Sequence, residues 1–423
     1  MKYKPLLISI FVVGMSLGTA WAIRGKFGHE QGAAWAGAIG ALSVILVAKR
    51  NDWYAKAFKI TLAAAFGWGI SGVISYGVVV GYGRGSDFVN VYYGLLMLFV
   101  IGILYGFLGG GMFGLALMDS KANKISWHSL LTEMVAFGML TYAVLINQLE
   151  WLMTPPRSEM WAACLGASIA VAWYILRNKH GSVLKVAVYS ALGAGFGFAF
   201  GNFLQVMGTV SGIDFNFWNV MEYSIGFFGG MGMAYATFTS EWPVSVDKTS
   251  AASRMLVIFL LVCFIPFVVW QQTFVTDRFD FILESGGTVK TIYYFKLFAI
   301  LAILLVAITV ILRNSLSFAN NAMEGNGREI KSFFFLYTLL YLFLSFLVTG
   351  IYSHPPEQYL YVLNLTVIFL LLPGANCEFE PRQIRPAKWA MMGLLLILTL
   401  AFLALIAINS HSEIPGSQVR FKL

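Results

Sequence analysis

Residues 5–48 read PLLISIFVVGMSLGTAWAI, then RGKFGHEQG, then AAWAGAIGALSVILVA, so a short charged segment separates two apolar runs. Each run approaches the about 20 apolar residues with which an α-helix crosses the hydrocarbon of a bilayer. The segment between them, residues 24–32, holds two cations, an imidazole and a carboxylate. Its glycines Gly25, Gly28 and Gly32 allow backbone conformations that other residues resist. The pattern predicts two membrane helices joined by a tight turn whose polar side chains point at one place.

The composition extends this pattern to the whole chain. Of 423 residues, 59% are hydrophobic and 11% are charged, whereas soluble domains average about 25% charged residues. Apolar segments of about 18 to 25 residues recur along the full length, and a β-barrel would show shorter, alternating segments. We therefore expect an all-α polytopic integral membrane protein. The thirteen predicted helices, numbered 1 to 13, cover 5–23, 32–49, 59–80, 91–118, 128–152, 159–177, 184–207, 217–239, 255–274, 292–313, 331–352, 358–374 and 388–409.

Basic residues predict the orientation, because short cytoplasmic loops collect Lys and Arg. With the N-terminus inside, the inner segments hold 19 of the 28 basic residues, and every inner segment holds at least two. We therefore expect an N-in, C-out topology, in a bacterial inner membrane. The net charge of +8 then reflects orientation, and we infer no nucleic-acid partner from it.

Four short motifs of predicted helices 3–6 recur in the same order in helices 7–10, which predicts a parallel internal repeat. The expected organisation is an N-terminal glycine-rich hairpin (1–57), two four-helix repeats (58–183 and 184–318) and a C-terminal three-helix scaffold bundle (319–423), with a linker at 314–330. Glycine-rich hairpins 1–2, 3–4 and 7–8 would form a compact centre, since small residues let helices approach closely. Helices 11–13 are rich in Leu, Phe and Ile, which suggests a lipid-facing scaffold or a homo-oligomer surface.

Charged residues inside a membrane are costly, so their positions indicate function. The predicted topology collects many of them on the outer side, namely Arg24, Lys26, His29, Glu30, Arg84, Asp87, Glu150, Arg157, Asp214, Glu222, Arg278, His354 and Glu357. Arg binds carboxylate or phosphate through two parallel hydrogen bonds, and His titrates near neutrality. Because neighbouring residues of a helix point in different directions, we expect His29 and Glu30 to meet different partners.

The expected substrate-binding residues are Arg24, His29, Glu30, Arg84, Trp35, Asn202 and Glu222. In this set Trp35 would stack on a sugar ring and Asn202 would hold hydroxyl groups. The alternative for the turn at 24–32 is an ordinary charged connection between helices. The alternatives for Trp35 and Asn202 are the interfacial aromatic belt and hydrogen bonding between helices.

The chain carries no P-loop, HExxH, CxxC or serine nucleophile motif, and its cysteines lack metal-ligand spacing, so we expect no metal or cofactor. The leading hypothesis is a transporter, a facilitator or secondary carrier, for a small polar, possibly anionic solute such as a sugar or sugar acid. Membrane lipid is the other expected partner. The alternative is a membrane transferase acting at the outer face on a lipid-linked or periplasmic glycan, with His29 as general base, Glu30 or Glu222 orienting it, and Arg24 stabilising negative charge. A third possibility is a non-catalytic assembly subunit.

Overall fold

The computed structural model describes residues 4–244, 251–284, 286–319, 327–351, 354–375, 379–383 and 385–422, and within these ranges it contains helices and no strands. The helices are α1 Lys4–Arg24, α2 Glu30–Ala48, α3 Asn51–Ala55, α4 Ala57–Ser71, α5 Gly77–Tyr82, α6 Phe88–Met118, α7 Trp127–Tyr142, α8 Met160–Arg177, α9 Gly181–Val210, α10 Phe217–Phe238, α11 Ala251–Phe259, α12 Ile265–Thr273, α13 Asp280–Glu284, α14 Val289–Ala319, α15 Gly327–Ser345, α16 Pro356–Leu371 and α17 Pro386–Ser410. Short π-helical segments, Ala143–Gln148, Leu260–Phe264 and Phe346–Gly350, continue α7, α11 and α15.

Eleven helices of the described residues are long and apolar enough to cross a membrane. The chain is therefore a polytopic helical membrane protein. Predicted helices 3 and 8 correspond to α4 with α5 and to α10, which are not among the eleven. The count of thirteen crossings, the orientation, the repeat and the domain boundaries stay predictions.

The prediction of one continuous helix over 59–80 is wrong, because α4 ends at Ser71 and α5 begins at Gly77. The Ser71 hydroxyl donates to the carbonyl oxygen of Gly67 at 3.1 Å, a local bond of the kind that competes with the helix ladder. The next residues include β-branched Val73 and Ile74, which lower helix propensity. The Tyr105 hydroxyl donates to the Ile74 carbonyl at 3.3 Å and so provides a partner for one carbonyl in the break.

Six helices, α1, α2, α4, α6, α9 and α10, pack neighbour against neighbour in a closed ring. They are the helices of the glycine-rich hairpins that the sequence placed at the centre. Glycines permit this close packing: a Cβ atom on Gly226 of α10 would lie 2.7 Å from the Cβ of Trp21, and one on Gly110 of α6 would lie 2.7 Å from the Cβ of Ser190. Such small-residue contacts are the usual means by which membrane helices associate.

Aromatic side chains fill the middle of this ring. The ring centroid of Trp21 lies 5.0 Å from that of Trp68 and 5.4 Å from that of Tyr105, and Tyr105 stacks on Phe198 at 6.0 Å. All four side chains are fully buried. The six helices therefore enclose a packed aromatic core.

The three C-terminal helices contact different parts of the ring. The Tyr341 hydroxyl of α15 donates to the Gly32 carbonyl at 2.9 Å, and Trp35 of α2 stacks on Tyr337 at 5.0 Å. Because these contacts bury most of α15, the expectation of a lipid-facing scaffold is wrong for this helix. In contrast, α17 lies against α6 and α9 and is mostly exposed. Much of the expected linker at 314–330 lies outside the described residues.

Candidate functional site

A buried ion pair connects three separate segments at one end of the ring. Arg24 ends α1, Tyr76 precedes α5 and Glu222 lies on α10. The Arg24 Nη1 atom donates to Glu222 Oε2 and to the Tyr76 hydroxyl, both at 3.0 Å. The Tyr76 hydroxyl in turn donates to Glu222 Oε1. We call Arg24, Tyr76 and Glu222 the buried triad.

His29 continues this network toward solvent. The Arg24 Nη2 atom lies 3.2 Å from His29 Nδ1. A guanidinium group can only donate, so Nδ1 accepts, and the proton of the neutral imidazole is on Nε2. Partial desolvation, followed by the charges of Arg24 and Arg157, lowers the pKa of His29 to about 4. At neutral pH His29 is therefore uncharged and can donate a hydrogen bond from Nε2.

A cavity of about 330 Å³ opens above the buried triad. Its size is within the range of ligand pockets, about 300 to 1,000 Å³. It is lined by Arg24, Gly25, Gly28, His29, Ser75, Tyr76, Gly77, Arg157, Trp218 and Arg278. Among the described residues, three guanidinium groups and no carboxylate line it, and Glu222, which lies behind Arg24, neutralises one of the three. We call this space the cationic cavity, because its wall carries two arginines beyond the neutralised Arg24.

The turn between α1 and α2 has the shape that its glycines predict. Gly28 has a φ of 89°, which is unfavourable for other residues. A Cβ atom on Gly32 would lie 2.9 Å from Cγ of Arg24. Phe27 is fully buried, and its ring centroid lies 4.9 Å from that of Tyr341. The turn is thus anchored by Phe27, and it directs Arg24 and His29 into the cationic cavity.

A second, larger cavity of about 760 Å³ lies on the flank of the ring between α2, α4 and α12. Its lining is mostly apolar, and its polar members are Glu30, Gln31 and Gln272. The side-chain amide of Gln31 donates to that of Gln272. We call it the apolar groove. His29 and Glu30 line different cavities, as their neighbouring helical positions predicted.

The structure brings together three of the seven expected site residues: Arg24 and His29 line the cationic cavity, and Glu222 lies directly behind Arg24. Glu30 lies in the apolar groove.

Three expected residues lie elsewhere, which corrects the sequence-based set. The Arg84 Nη1 atom donates to the Pro415 carbonyl at 3.1 Å and holds the C-terminal segment. Trp35 is buried against α15, because its ring completes the packing with Tyr337. Asn202 is buried, with Nδ2 3.4 Å from the Val80 carbonyl.

Besides glycines, five cavity residues were missed by the sequence-based set, namely Ser75, Tyr76, Arg157, Trp218 and Arg278. Arg157 and Arg278 do belong to the expected outer group of charges, which was the available signal. Tyr76 reaches Glu222 because the helix is broken before it. The continuous apolar character of 59–80 outweighed the weak local signals of that break.

Searches against protein-family models, curated proteins and solved structures found no significant match to this chain. Its function is therefore inferred from the residues of the two cavities.

Proposed function

We propose that this chain is a membrane transporter, a facilitator or secondary carrier, for a small organic anion such as a sugar acid that binds in the cationic cavity. The observation that carries the proposal is the cavity wall, in which Arg24, Arg157 and Arg278 are accompanied by no carboxylate of the described part of the chain. Arginine binds carboxylates through paired hydrogen bonds. His29 adds an uncharged donor, and the exposed ring of Trp218 offers a face on which a sugar ring can stack.

The broken helix supports transport as the activity of this site. In secondary transporters, substrate sites commonly lie where a membrane helix is discontinuous. Here the break at 72–76 contributes Ser75 and Tyr76 to the cavity wall. The aromatic core closes the far side of the cavity, so release to that side requires α1, the break and α10 to move apart. The bonds of the buried triad are the ones that this movement breaks.

The test is uptake of labelled D-glucuronate into proteoliposomes. We expect saturable uptake by the wild type, no uptake of glucose, and strongly reduced uptake by the double variant Arg157→Gln, Arg278→Gln, whose mutated side chains are exposed. The matched control is Lys388→Gln, which removes an exposed cation of α17 outside the cavity lining. Uptake by the wild type equal to that of protein-free liposomes would contradict the proposal.

The apolar groove supports a second candidate, a transferase acting at the outer face on a lipid-linked glycan. A groove of about 760 Å³ beside the turn at 24–32 has the size and lining for an acyl or polyprenyl chain. In this candidate Glu30, which lines the groove, is a better base than His29, because Nδ1 of His29 already accepts from Arg24. Val268→Trp would fill the groove. If the chain is a transferase, this variant should no longer be thermally stabilised by polyprenyl phosphate. If the chain is a transporter, the variant should take up D-glucuronate as the wild type does.

The proposal includes the predicted topology, thirteen crossings with the N-terminus in the cytoplasm of a bacterium, and a homo-oligomer through the more exposed predicted helices 12 and 13, which are α16 and α17. The C-terminal segment lies at the same end of the ring as the cavity, because the backbone N–H of Gln418 donates to the Gly81 carbonyl at 2.9 Å and Arg420 donates to the Leu152 carbonyl at 2.8 Å. A reporter fused to the C-terminus therefore reports the side of the cavity. A cytoplasmic signal would contradict binding from the outer face.

A further inference from the structure

Arg24 serves both the buried triad and the cationic cavity. Its Nη1 atom is shared by Glu222 and Tyr76, its Nη2 atom contacts His29, and its buried Nε atom has no partner among the described residues. The same guanidinium group lines the cavity. An anion that enters the cavity therefore meets a cation whose charge is already paired with the Glu222 carboxylate.

We propose that Glu222 is the proton-binding residue of this site, and that each bound monoanion is accompanied by one proton taken up by Glu222. This inference rests on the proposed function, since it concerns how the same anion is bound. It assigns the proton as a second ligand and makes Glu222 the residue that couples it to the anion.

The cost of an unpaired buried charge carries the argument. Glu222 is 1% exposed, and Arg24 is the one cation within salt-bridge distance of it among the described residues. If Arg24 pairs with the anion in place of Glu222, an ionised Glu222 is left buried without its cation, which is strongly unfavourable. A protonated Glu222 avoids this cost, and its remaining oxygen keeps the hydrogen bond from Tyr76.

The charges and atoms balance in this exchange. The contact between Arg24 Nη1 and Glu222 Oε2 is lost, a proton supplied by the buffered solution adds to Oε2, and the guanidinium group pairs with the anion. Arg24 stays charged throughout, and no other covalent bond forms or breaks. Before binding, the charges of Arg24 and Glu222 sum to zero. After binding, Glu222 is neutral, and the charges of Arg24 and the anion sum to zero. Binding of the monoanion with a proton is therefore electroneutral.

In the part of the chain that the structure describes, no other group near Glu222 replaces it in this role. Among the described residues, the titratable or charged side chains that interact with Glu222 are Arg24 on α1, Tyr76 in the break, Tyr105 on α6, Tyr341 on α15 and Tyr361 on α16. Phenols and guanidinium groups ordinarily keep their protons at neutral pH. His29, on the other side of Arg24, has a pKa lowered to about 4 and stays neutral in the working range.

The exchange also changes how the three segments of the buried triad are held together. In the anion-free state, the ion pair ties the end of α1 to α10 and, through Tyr76, to the break before α5. Once the anion holds Arg24 and Glu222 is neutral, the tie between α1 and α10 is released. Proton and anion together thus favour the separation of helices that transport requires.

The experiment is titration calorimetry of the detergent-purified protein with D-glucuronate, in two buffers of different ionisation enthalpy, between about pH 5 and pH 8. The difference in heat between buffers counts the protons taken up. We expect one proton per anion, and an affinity that rises about tenfold for each unit by which the pH falls. Glu222→Gln is expected to bind the anion with no proton uptake and with a pH-independent affinity.

The matched control is Glu133→Gln, which alters another ion-paired carboxylate, 2.6 Å from Arg177 and remote from the cavity lining. It should take up one proton per anion, as the wild type does. Anion binding by the wild type without proton uptake would overturn the inference and leave the proposed function standing, and proton uptake by Glu222→Gln would overturn the role of Glu222. Absence of any anion binding by the wild type would overturn the proposed function and this inference together. If Glu222→Gln does not fold, Tyr76→Phe serves instead, and it should shift the pH range of proton uptake while keeping its stoichiometry.

Discussion

Arg24 and Glu222 are 198 residues apart in the chain, and their side chains meet at 3.0 Å with 1% of each exposed. A buried ion pair is weak evidence for stability, because the loss of hydration offsets the attraction between the charges. This pair joins α1 to α10 beneath a cavity that carries further positive charge. We therefore interpret it as part of a binding site that also holds two helices together.

Arg24→Leu is expected to lower the stability of the protein by about 3 to 5 kcal/mol, because it leaves Glu222 buried without its cation. The double variant Arg24→Leu, Glu222→Leu should recover most of that loss, since neither charge remains. Thermal unfolding of the detergent-purified variants measures both effects. A double variant as unstable as the single one would argue against a direct charge pairing.

His29 gives a pH dependence whose sign follows from its pKa. In the unfolded chain a histidine takes up a proton near pH 6.5, whereas in the folded protein the pKa is lowered to about 4. The neutral His29 therefore costs no stability above about pH 6.5. As the pH falls from there toward about 4, the free energy of unfolding decreases, because the unfolded chain takes up a proton that the folded protein does not. His29→Gln should remove this acid-dependent loss. An imidazole titration midpoint near 6.5, measured by nitrogen NMR on labelled histidine, would show that the site leaves His29 unperturbed.

Gly106→Ala tests the packing of the ring. A Cβ atom at this position would overlap the backbone of Ser190 on α9, so we expect a loss of about 1 to 3 kcal/mol and a lower melting temperature. Gly393→Ala is the matched control within α17, where nothing lies within 4 Å of an added Cβ atom. Its melting temperature should stay the same or rise slightly. Equal behaviour of the two variants would contradict the close contact of α6 with α9.

Asn90→Ala should release the C-terminal segment. The buried Asn90 side chain accepts from the backbone N–H groups of Arg420 and Phe421 at 2.6 and 2.9 Å, and it donates to the Phe421 carbonyl at 3.0 Å. We expect faster trypsin cleavage after Arg420 in this variant. Asn409→Ala, which removes only a local bond to the Leu405 carbonyl, should be cleaved at the wild-type rate. No change in Asn90→Ala would mean that other contacts suffice to hold the segment.

The helical membrane class and most helix positions were predictable from the sequence, and the candidate site only in part. Apolar periodicity located most helices, because the length needed to cross a bilayer dominates the pattern. It missed the break at 72–76, where Val73 and Ile74 are as apolar as a helix interior. Arg24, His29 and Glu222 were expected in one candidate site because charges are rare in such a chain, and the structure places them together. Trp35 was expected with them but packs between helices, and a tryptophan in that position has the same sequence context as one facing a ligand. That Arg157 and Arg278 line the same cavity depends on how distant turns meet, which no local sequence pattern indicates.

The most direct measurement of the central claim is the thermal stability of the detergent-purified protein with D-glucuronate, glucose or polyprenyl phosphate. A ligand that binds only the folded state raises the melting temperature with concentration. We predict that D-glucuronate raises it, that glucose does not, and that the effect disappears in the double variant Arg157→Gln, Arg278→Gln. Stabilisation by polyprenyl phosphate alone, or equal stabilisation by glucose and D-glucuronate, would contradict a cationic site for small organic anions.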